Sequence, residues 1–394
     1  MIWGYSPFMK LQEIFLHKNY SDLAVDRMIY ARDASELDGN CQAVVWPTTR
    51  EQIQHMLKFC AKDDAHFSIR GAGTSTLGGA VANNSVVVDM SKMNKILEWG
   101  SDFVLVEAGL VLGELLFSAQ KKRVYFPIKP VEHPMCTIGG MIAMNPYGLD
   151  TYYGRMGQWV EELDVIDGQG NRLKVSGTQL KDFIGAEGST GIILSAKLKV
   201  LPEPRAKTLS IFKFNTITAL MDKAIILDKN PRVMSIELLD DFCSHYLSLG
   251  QSLHLLVEYD NDSGVIKDSE EIAKMDELKE KLHHVLIAKK YTHTEDPKIP
   301  FEQSGRFLQW CQKNGVPCFG HLKNRLFHPS FREGSALSRE MALFVTSLQG
   351  DVAGQYGIGR KRKRYLSAEK KTRWTTLKNK YDPQRLLNRG VLVD

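Results

Sequence analysis

The chain has 394 residues, 43% of them hydrophobic and 25% charged, and a formal net charge of +5. These values exclude a disordered or collagen-like polymer and fit a globular protein long enough for two domains. Six cysteines with no CxxC pair speak against an iron–sulfur cluster, a zinc ribbon or a disulfide framework. No apolar run reaches membrane-spanning length, and Met1–Pro7 lacks a basic start followed by an apolar core, so the expected compartment is cytoplasmic.

In chain order, residues 1–37 read as a helical lead-in, with Leu11, Ile14, Phe15 and Leu23 at helical spacing. A helix is predicted over 49–62, with Thr49 as N-cap and Ile53, Met56, Leu57 and Cys60 on one face. The run His66–Ile69 reads as a buried strand. It ends in Arg70-Gly71-Ala72-Gly73-Thr74-Ser75-Thr76-Leu77-Gly78-Gly79-Ala80, and a second strand follows at Val86–Met90. A dinucleotide fingerprint should open a helix, and none follows here. Glycines in a strand–loop–strand device let consecutive N–H groups converge on an anion, and Thr74 and Ser75 add hydroxyl donors. A pyrophosphate suits such a loop; a plain structural turn is the competing reading.

Two more glycine clusters follow. One is Thr137-Ile138-Gly139-Gly140 with Asn145 and Gly148 close behind; the other is Gly185-Ala186-Glu187-Gly188-Ser189-Thr190-Gly191-Ile192-Ile193, which leads into a strand. Asp167-Gly168-Gln169-Gly170-Asn171 has hairpin-turn chemistry, so Asp167 is expected to be structural. Pro202-Glu203-Pro204 marks a boundary. Beyond it the order is strand 208–214, helix 218–229, strands 233–239 and 252–259, then a charged helix 269–286, a β-α-β-β-α order that suits a ferredoxin-like cap.

The three glycine clusters, in this order and spacing, resemble the FAD-binding domain of the glycolate oxidase and D-lactate dehydrogenase type, within the vanillyl-alcohol-oxidase group. Near the C-terminus, Gly350–Gly359 resembles the family's GGSISGEHGIG, and Tyr381–Gly390 resembles its closing DPKGILNPGK. The resemblance implies an α+β, two-domain, PCMH-type FAD-binding fold with a ferredoxin-like cap. The implied plan is a lead-in over 1–37, an FAD-binding domain over 38–204, a cap over 205–367 and a tail over 368–394 returning to the FAD domain. It implies non-covalent FAD held by Arg70, Gly71, Ala72, Gly73, Thr74 and Ser75 around the pyrophosphate. Thr137, Gly139, Gly140, Asn145 and Gly148 would lie along the isoalloxazine. Glu187, Gly188, Gly191, Ile192 and Ile193 would meet the adenine side, with Asn388 near the cofactor. Cys136 reads as a core thiol and not as a flavin link.

Within this family a divalent metal is held by HxGDGNxH and the Glu of SGEHG, whose His acts as base. This chain keeps His321 and His328 at the family's spacing but carries Leu322, Lys323, Asn324 and Arg325 between them. It has Gln355 for the Glu and Tyr356 for the His. A neutral amide is a poor ligand, so a divalent metal, which would use His321, His328 and Gln355, is not expected. Tyr356 or His321 is the candidate base, His328 a companion, and Lys323, Arg325 or Lys298 candidate anchors for a substrate anion. The implied activity is FAD-dependent oxidation of a CH–OH group in an acidic, 2-hydroxy-acid-like or phosphorylated compound, with a separate electron acceptor. Two alternatives stay open. One is an FAD-binding subunit without chemistry of its own; the other is a non-redox flavin transferase of the alkylglycerone phosphate synthase type. No nucleic-acid motif accompanies the basic run Arg360–Arg364. Such a run is ordinarily a solvated face; attraction to an anionic substrate or to a membrane surface, as a peripheral contact, is the sharper reading.

Overall fold

The computed structural model describes residues 7–60, 65–130, 134–202, 207–260 and 262–394. The chain divides into two compact units. The first comprises Met1–Gly148, Gly154–Glu203 and Tyr356–Asp394; the second comprises Leu149–Tyr153 and Pro204–Gln355. The chain therefore re-enters the first unit at Tyr356, ahead of the expected 368. Backbone bonds fix that point: Arg360 N–H donates to Leu77 O at 2.8 Å, far upstream in the same unit.

Among the described residues, the first unit holds two large sheets and one two-stranded pair. Strands β1 (Tyr20–Ser21), β2 (Asn40–Val45), β3 (Phe67–Arg70) and β4 (Asn83–Asp89) lie in the order β1-β2-β4-β3. β4 runs parallel to both of its neighbours, and β1 is antiparallel to β2. Further along come β5 (Ile96–Trp99), β6 (Phe103–Glu107), β7 (Val124–Tyr125), β8 (Val160–Asp167), β9 (Arg172–Ser176), β10 (Gly191–Lys199) and β11 (Leu201–Pro202). An antiparallel sheet orders five of these as β5-β6-β10-β8-β9, while β7 pairs with β11. Buried on both faces, β2 and β4 read as near-continuous apolar runs, as parallel strands do.

The core between the sheets joins Val45, Phe67, Val86 and Val88 to Ile166, Ile192 and Leu194, with Ile53, Met56 and Leu57 from the helix Arg50–Cys60. Thr49 Oγ1 accepts the Gln52 N–H at 3.3 Å, as an N-cap should. In the lead-in, Leu11 and Phe15 are buried, but Leu23 is exposed. The lead-in is interrupted by β1, which pairs with β2 between two short helices, Pro7–Ile14 and Ala24–Tyr30.

In the second unit, β12 (Thr208–Phe214), β13 (Val233–Leu239), β14 (Leu253–Tyr259), β15 (His293–Thr294), β16 (Cys318–His321) and β17 (Leu326–Phe331) form one antiparallel sheet ordered β12-β14-β13-β16-β17-β15. The run β12-β14-β13 has the first, third and second strands of a ferredoxin-like sheet. The sheet then grows past β13 through the hairpin β16–β17. One face is apolar, with Ile236, Leu238, Leu255 and Val257 against the helices Ile217–Asp228 and Ser304–Lys313. The helix Ser269–Ala288 covers part of the other face through Ile272, Met275, Leu282 and Leu286. Among the described residues, no helix is long and apolar enough to cross a membrane.

The helix Ala368–Tyr381 brings a buried lysine into the first unit. Lys378 Nζ lies 2.7 Å from Asp382 Oδ2 and donates to Ser189 O at 3.1 Å and to Leu387 O. Asp382 in turn accepts the N–H groups of Leu386 and Leu387, each at 2.9 Å. Removing one member of such a pair strands the other in a dry core. Lys378→Ala should therefore destabilise the protein by about 3 kcal/mol, read as a lowered midpoint in urea unfolding; an unchanged midpoint would contradict the role given to this pair.

Candidate functional site

The strand–loop–strand device is present. After β3 the chain turns through Gly73 (φ +71°) and Gly78 (φ +80°), where any side chain is strained. A Cβ on Gly73 would meet Arg70 Nη2 at 2.2 Å, and one on Gly71 would meet Thr137 Oγ1 at 2.1 Å. The second contact sets the first two glycine clusters side by side. Both flanks of the loop are pinned. Asp33 Oδ2 accepts the Ala80 N–H at 3.0 Å, and Arg70 Nη1 donates to Arg32 O at 2.6 Å. Ser75 Oγ accepts from Leu77 N and Gly79 N at 3.3 and 3.4 Å. Among the described residues, no acceptor takes up the N–H groups of Gly73, Thr74, Ser75 or Thr76. A held turn with a run of unused donors is a cradle for a phosphate-like anion.

Thr137 caps the helix Ile138–Met144, its Oγ1 accepting the Gly140 N–H at 3.4 Å. Gly139 lies against Ala108: its N–H donates to Ala108 O at 2.7 Å, and a Cβ would stand 2.8 Å from Ala108 Cβ. A Cβ on Gly140, by contrast, would meet only Thr137 Oγ1, at 3.0 Å. The surface over Gly140 is thus open to a flat ring. Cys136 is buried with its Sγ 3.8 Å from Thr74 Oγ1.

Several residues expected at the cofactor are used by the protein itself. Asn145 (φ +55°) ends the helix Ile138–Met144 and accepts the Gly157 N–H at 2.8 Å. Gly148 packs on Lys129 N, and Gly191 on Val165 Cγ1, with a Cβ 2.6 Å away in each case. Ile192 and Ile193 are buried in β10. Gly188 lies under Asn388, whose Nδ2 donates to Glu187 O at 2.6 Å while its Oδ1 accepts the Ile69 N–H at 2.7 Å. Glu187 is buried, and its two carboxylate oxygens accept the N–H groups of Ile358 and Gly359, each at 2.7 Å. Burial pushes its carboxyl up to about 7, although the two N–H groups and Arg362 pull the other way. Asp167 is the turn residue its sequence implied, accepting from Gln169 N and Asn171 N at 2.9 Å.

The second unit carries a polar row across its sheet. Glu258 on β14, Ser235 and Glu237 on β13, His321 on β16 and His328 on β17 share one face, because side chains alternate along each strand and register pairs Ser235 with Glu258 and Glu237 with His321. His321 Nδ1 makes an ion-pair-range contact with the Glu237 carboxylate. The His328 ring lies edge-on to His321 at 5.3 Å and stacks on Phe319 at 4.7 Å. Gln355 Nε2 is 3.5 Å from His328 Nε2. Glu237 was missed as a site residue; it is the one acid inside the apolar strand Val233–Leu239. Among the described residues, no group of three or more His, Cys, Asp or Glu side chains is arranged to hold a metal.

Lys323 and Arg325, expected to anchor a substrate anion, are engaged elsewhere. Lys323 Nζ donates to Val233 O at 2.7 Å. Arg325 pairs with Asp228 at 2.8 Å and lies over the Phe301 ring. Within the basic run, Arg362 is buried rather than solvated, and Arg360 reaches Val81 O at 2.6 Å. Tyr356 is half-buried in the first unit.

Comparison with known proteins decides the family. Residues 41–176 match the FAD binding domain, and residues 319–392 match the C-terminal domain of FAD linked oxidases. The chain belongs to the FAD-linked oxidase family. It is 25% identical to the glycolate oxidase subunit GlcD of Bacillus subtilis, over 95% of this chain and 94% of that protein. It is 24% identical to a D-2-hydroxyglutarate dehydrogenase of Xanthomonas citri pv. viticola, over 90% of each. With a D-lactate dehydrogenase of Archaeoglobus fulgidus the identity is also 24%, over 89% of this chain and 91% of that one. Among solved structures, p-cresol methylhydroxylase shares the fold with a TM-score of 0.78 at 12% identity, covering 98% of this chain and 96% of that chain. An alkyldihydroxyacetonephosphate synthase gives 0.69 at 15%, covering 98% and 84%. FAD is thus the cofactor of this family member, and the loop donors and the open face over Gly140 fit its pyrophosphate and ring.

Two expectations follow. Gly140→Val should leave the protein folded, with its melting temperature within a few degrees of the FAD-free parent, but purify without flavin absorbance; retained flavin would show that the ring lies elsewhere. The second concerns Glu258. Burial alone would raise its carboxyl, yet Lys279 and Lys207, at 2.7 and 3.0 Å, bring it down to about 2. A depressed acid stabilises the fold above its unfolded pKa near 4.5 and loses that contribution as pH falls toward 2. Acid titration of unfolding free energy should show an extra loss on the order of 3 kcal/mol across that window, absent in Glu258→Gln; identical acid profiles would contradict the assignment.

Proposed function

We propose that the protein oxidises the CH–OH group of a small hydroxy acid to a carbonyl. Bound FAD supplies the hydride acceptor, and a separate acceptor later removes the electrons. What carries this reading is the glycine loop with unused N–H donors in a chain whose full-length relatives are named for glycolate, D-lactate and D-2-hydroxyglutarate.

The substrate's hydroxyl proton needs a base as the hydride leaves carbon. His321 is the candidate for that role: its Nδ1 lies within ion-pair range of the Glu237 carboxylate, which leaves Nε2, on the far side of the ring, as the atom that would take the proton. Glu237 is thereby the orienting group, and His328 fixes the ring from its edge. Tyr356, standing where the family places a histidine, offers a phenol O–H to the substrate oxygen. Lys323 and Arg325 take no part in this scheme, because Val233 O and Asp228 already hold them.

The test is anaerobic mixing of the FAD-replete protein with glycolate, D-lactate and D-2-hydroxyglutarate in turn, following visible flavin absorbance. One of the three should bleach it. His321→Gln and Tyr356→Phe should each slow that bleaching by about 10²-fold or more while FAD stays bound. Full FAD occupancy with no bleaching by any hydroxy acid would overturn the reading and favour an FAD-holding subunit or a transferase without net flavin reduction.

A further inference from the structure

Glu187 is a buried carboxylate whose natural partner would be a cation or a ligand, yet both of its oxygens are spent on the backbone of a distant segment. Oε1 accepts the Ile358 N–H and Oε2 the Gly359 N–H, each at 2.7 Å. The residue also takes a left-handed backbone (φ +49°), a conformation that a glutamate adopts only where surroundings impose it. Those surroundings are visible. Its own N–H donates to Ala143 O at 3.0 Å, and its carbonyl accepts Asn388 Nδ2 at 2.6 Å. Glu187 is therefore held from both sides, and it holds the turn Gly357-Ile358-Gly359 in turn.

That turn has no slack. A Cβ on Gly357 (φ +82°) would be strained, and it would push on Met144 Cε at 2.5 Å and on Glu187 Oε1 at 2.8 Å. A Cβ on Gly359 (φ +54°) would strike Leu77 O at 2.1 Å. Arg362 Nη1 lies 3.5 Å from Gly357 O and supplies the nearby positive charge. Immediately before the turn stands Tyr356, the residue at which the chain enters the first unit.

We propose that Glu187 is a positioning residue for the oxidation: its two-pronged acceptance of the Ile358 and Gly359 N–H groups fixes the turn that aims the Tyr356 phenol. The proposal rests on the reading of Tyr356 given above. Gln is a poor replacement at this position, since its amide would set an NH₂ group against one of the two N–H donors.

The experiment compares wild type with Glu187→Gln, Tyr356→Phe and the double variant, all FAD-replete, using whichever of glycolate, D-lactate or D-2-hydroxyglutarate bleaches wild type fastest. Glu187→Gln should reduce its flavin about tenfold more slowly at saturating substrate, with flavin absorbance retained. The double variant should be no slower than Tyr356→Phe alone, because a residue acting through Tyr356 has nothing further to lose. Additive losses, or an undiminished rate in Glu187→Gln, would overturn the proposal. An undiminished rate in Tyr356→Phe would instead overturn the reading of Tyr356, and this inference with it. Hydrogen exchange over Tyr356–Arg360 tests the clamp with no substrate at all: exchange as slow in Glu187→Gln as in wild type overturns it. If Glu187→Gln fails to fold, Gly357→Ala displaces the same turn with the carboxylate intact, and the same non-additivity with Tyr356→Phe is expected.

Discussion

A cofactor gripped through backbone N–H groups cannot organise its own loops, since the turns must already be set before the anion arrives. Here the C-terminal return supplies that constraint. Asn388 spans β3 and the third glycine cluster, Lys378 joins that cluster to the closing segment, and Glu187 ties it to the turn after Tyr356. All three are polar groups buried in one place, and each is satisfied by main-chain atoms of a different segment. A polar group left unpaired in a core costs on the order of 1–3 kcal/mol, so the loops and the tail order each other or neither is ordered. The glycines belong to the same logic: several leave room for a neighbouring backbone or side chain, while among the described residues nothing takes up the N–H groups of Gly73–Thr76 and only Thr137 Oγ1 lies over Gly140.

The second unit solves a different problem. Its sheet has one apolar face and one face that mixes apolar and ionisable side chains, and the ionisable ones are arranged so that charge stays paired. Glu258 is held by Lys207 and Lys279, Asp276 and Asp150 lie within reach of Lys207, and Glu237 faces His321. Burying such a row has a large desolvation cost and brings little net stability.

Much of this was legible in the sequence, for identifiable reasons. The loop between β3 and β4 could be read because glycine spacing between two short apolar runs has few alternative structures. Strands 208–214 and 233–239 could be read because their composition and flanking turns agree. Less legible was everything that depends on which distant group a side chain finds. Lys323 and Arg325 look like anion anchors until Val233 O and Asp228 are seen to hold them. Glu187 and Asn388 look like cofactor ligands because they sit in cofactor motifs, yet their side chains bind the protein. Glu237 lies in Ile236–Asp240, a segment that resembles one of the family's, but only the register of β13 with β16 puts it beside His321.

The most direct measurement of the central claim is hydrogen exchange on the purified protein with FAD bound and after its removal. On binding FAD, Gly73–Thr76, the segment around Gly140, the Glu187 cluster and Tyr356–Arg360 should gain protection together, with strands β2 and β4 unchanged. Protection confined to one of these segments, or absent from Gly73–Thr76, would contradict a cradle built from glycine loops and held by the returning tail.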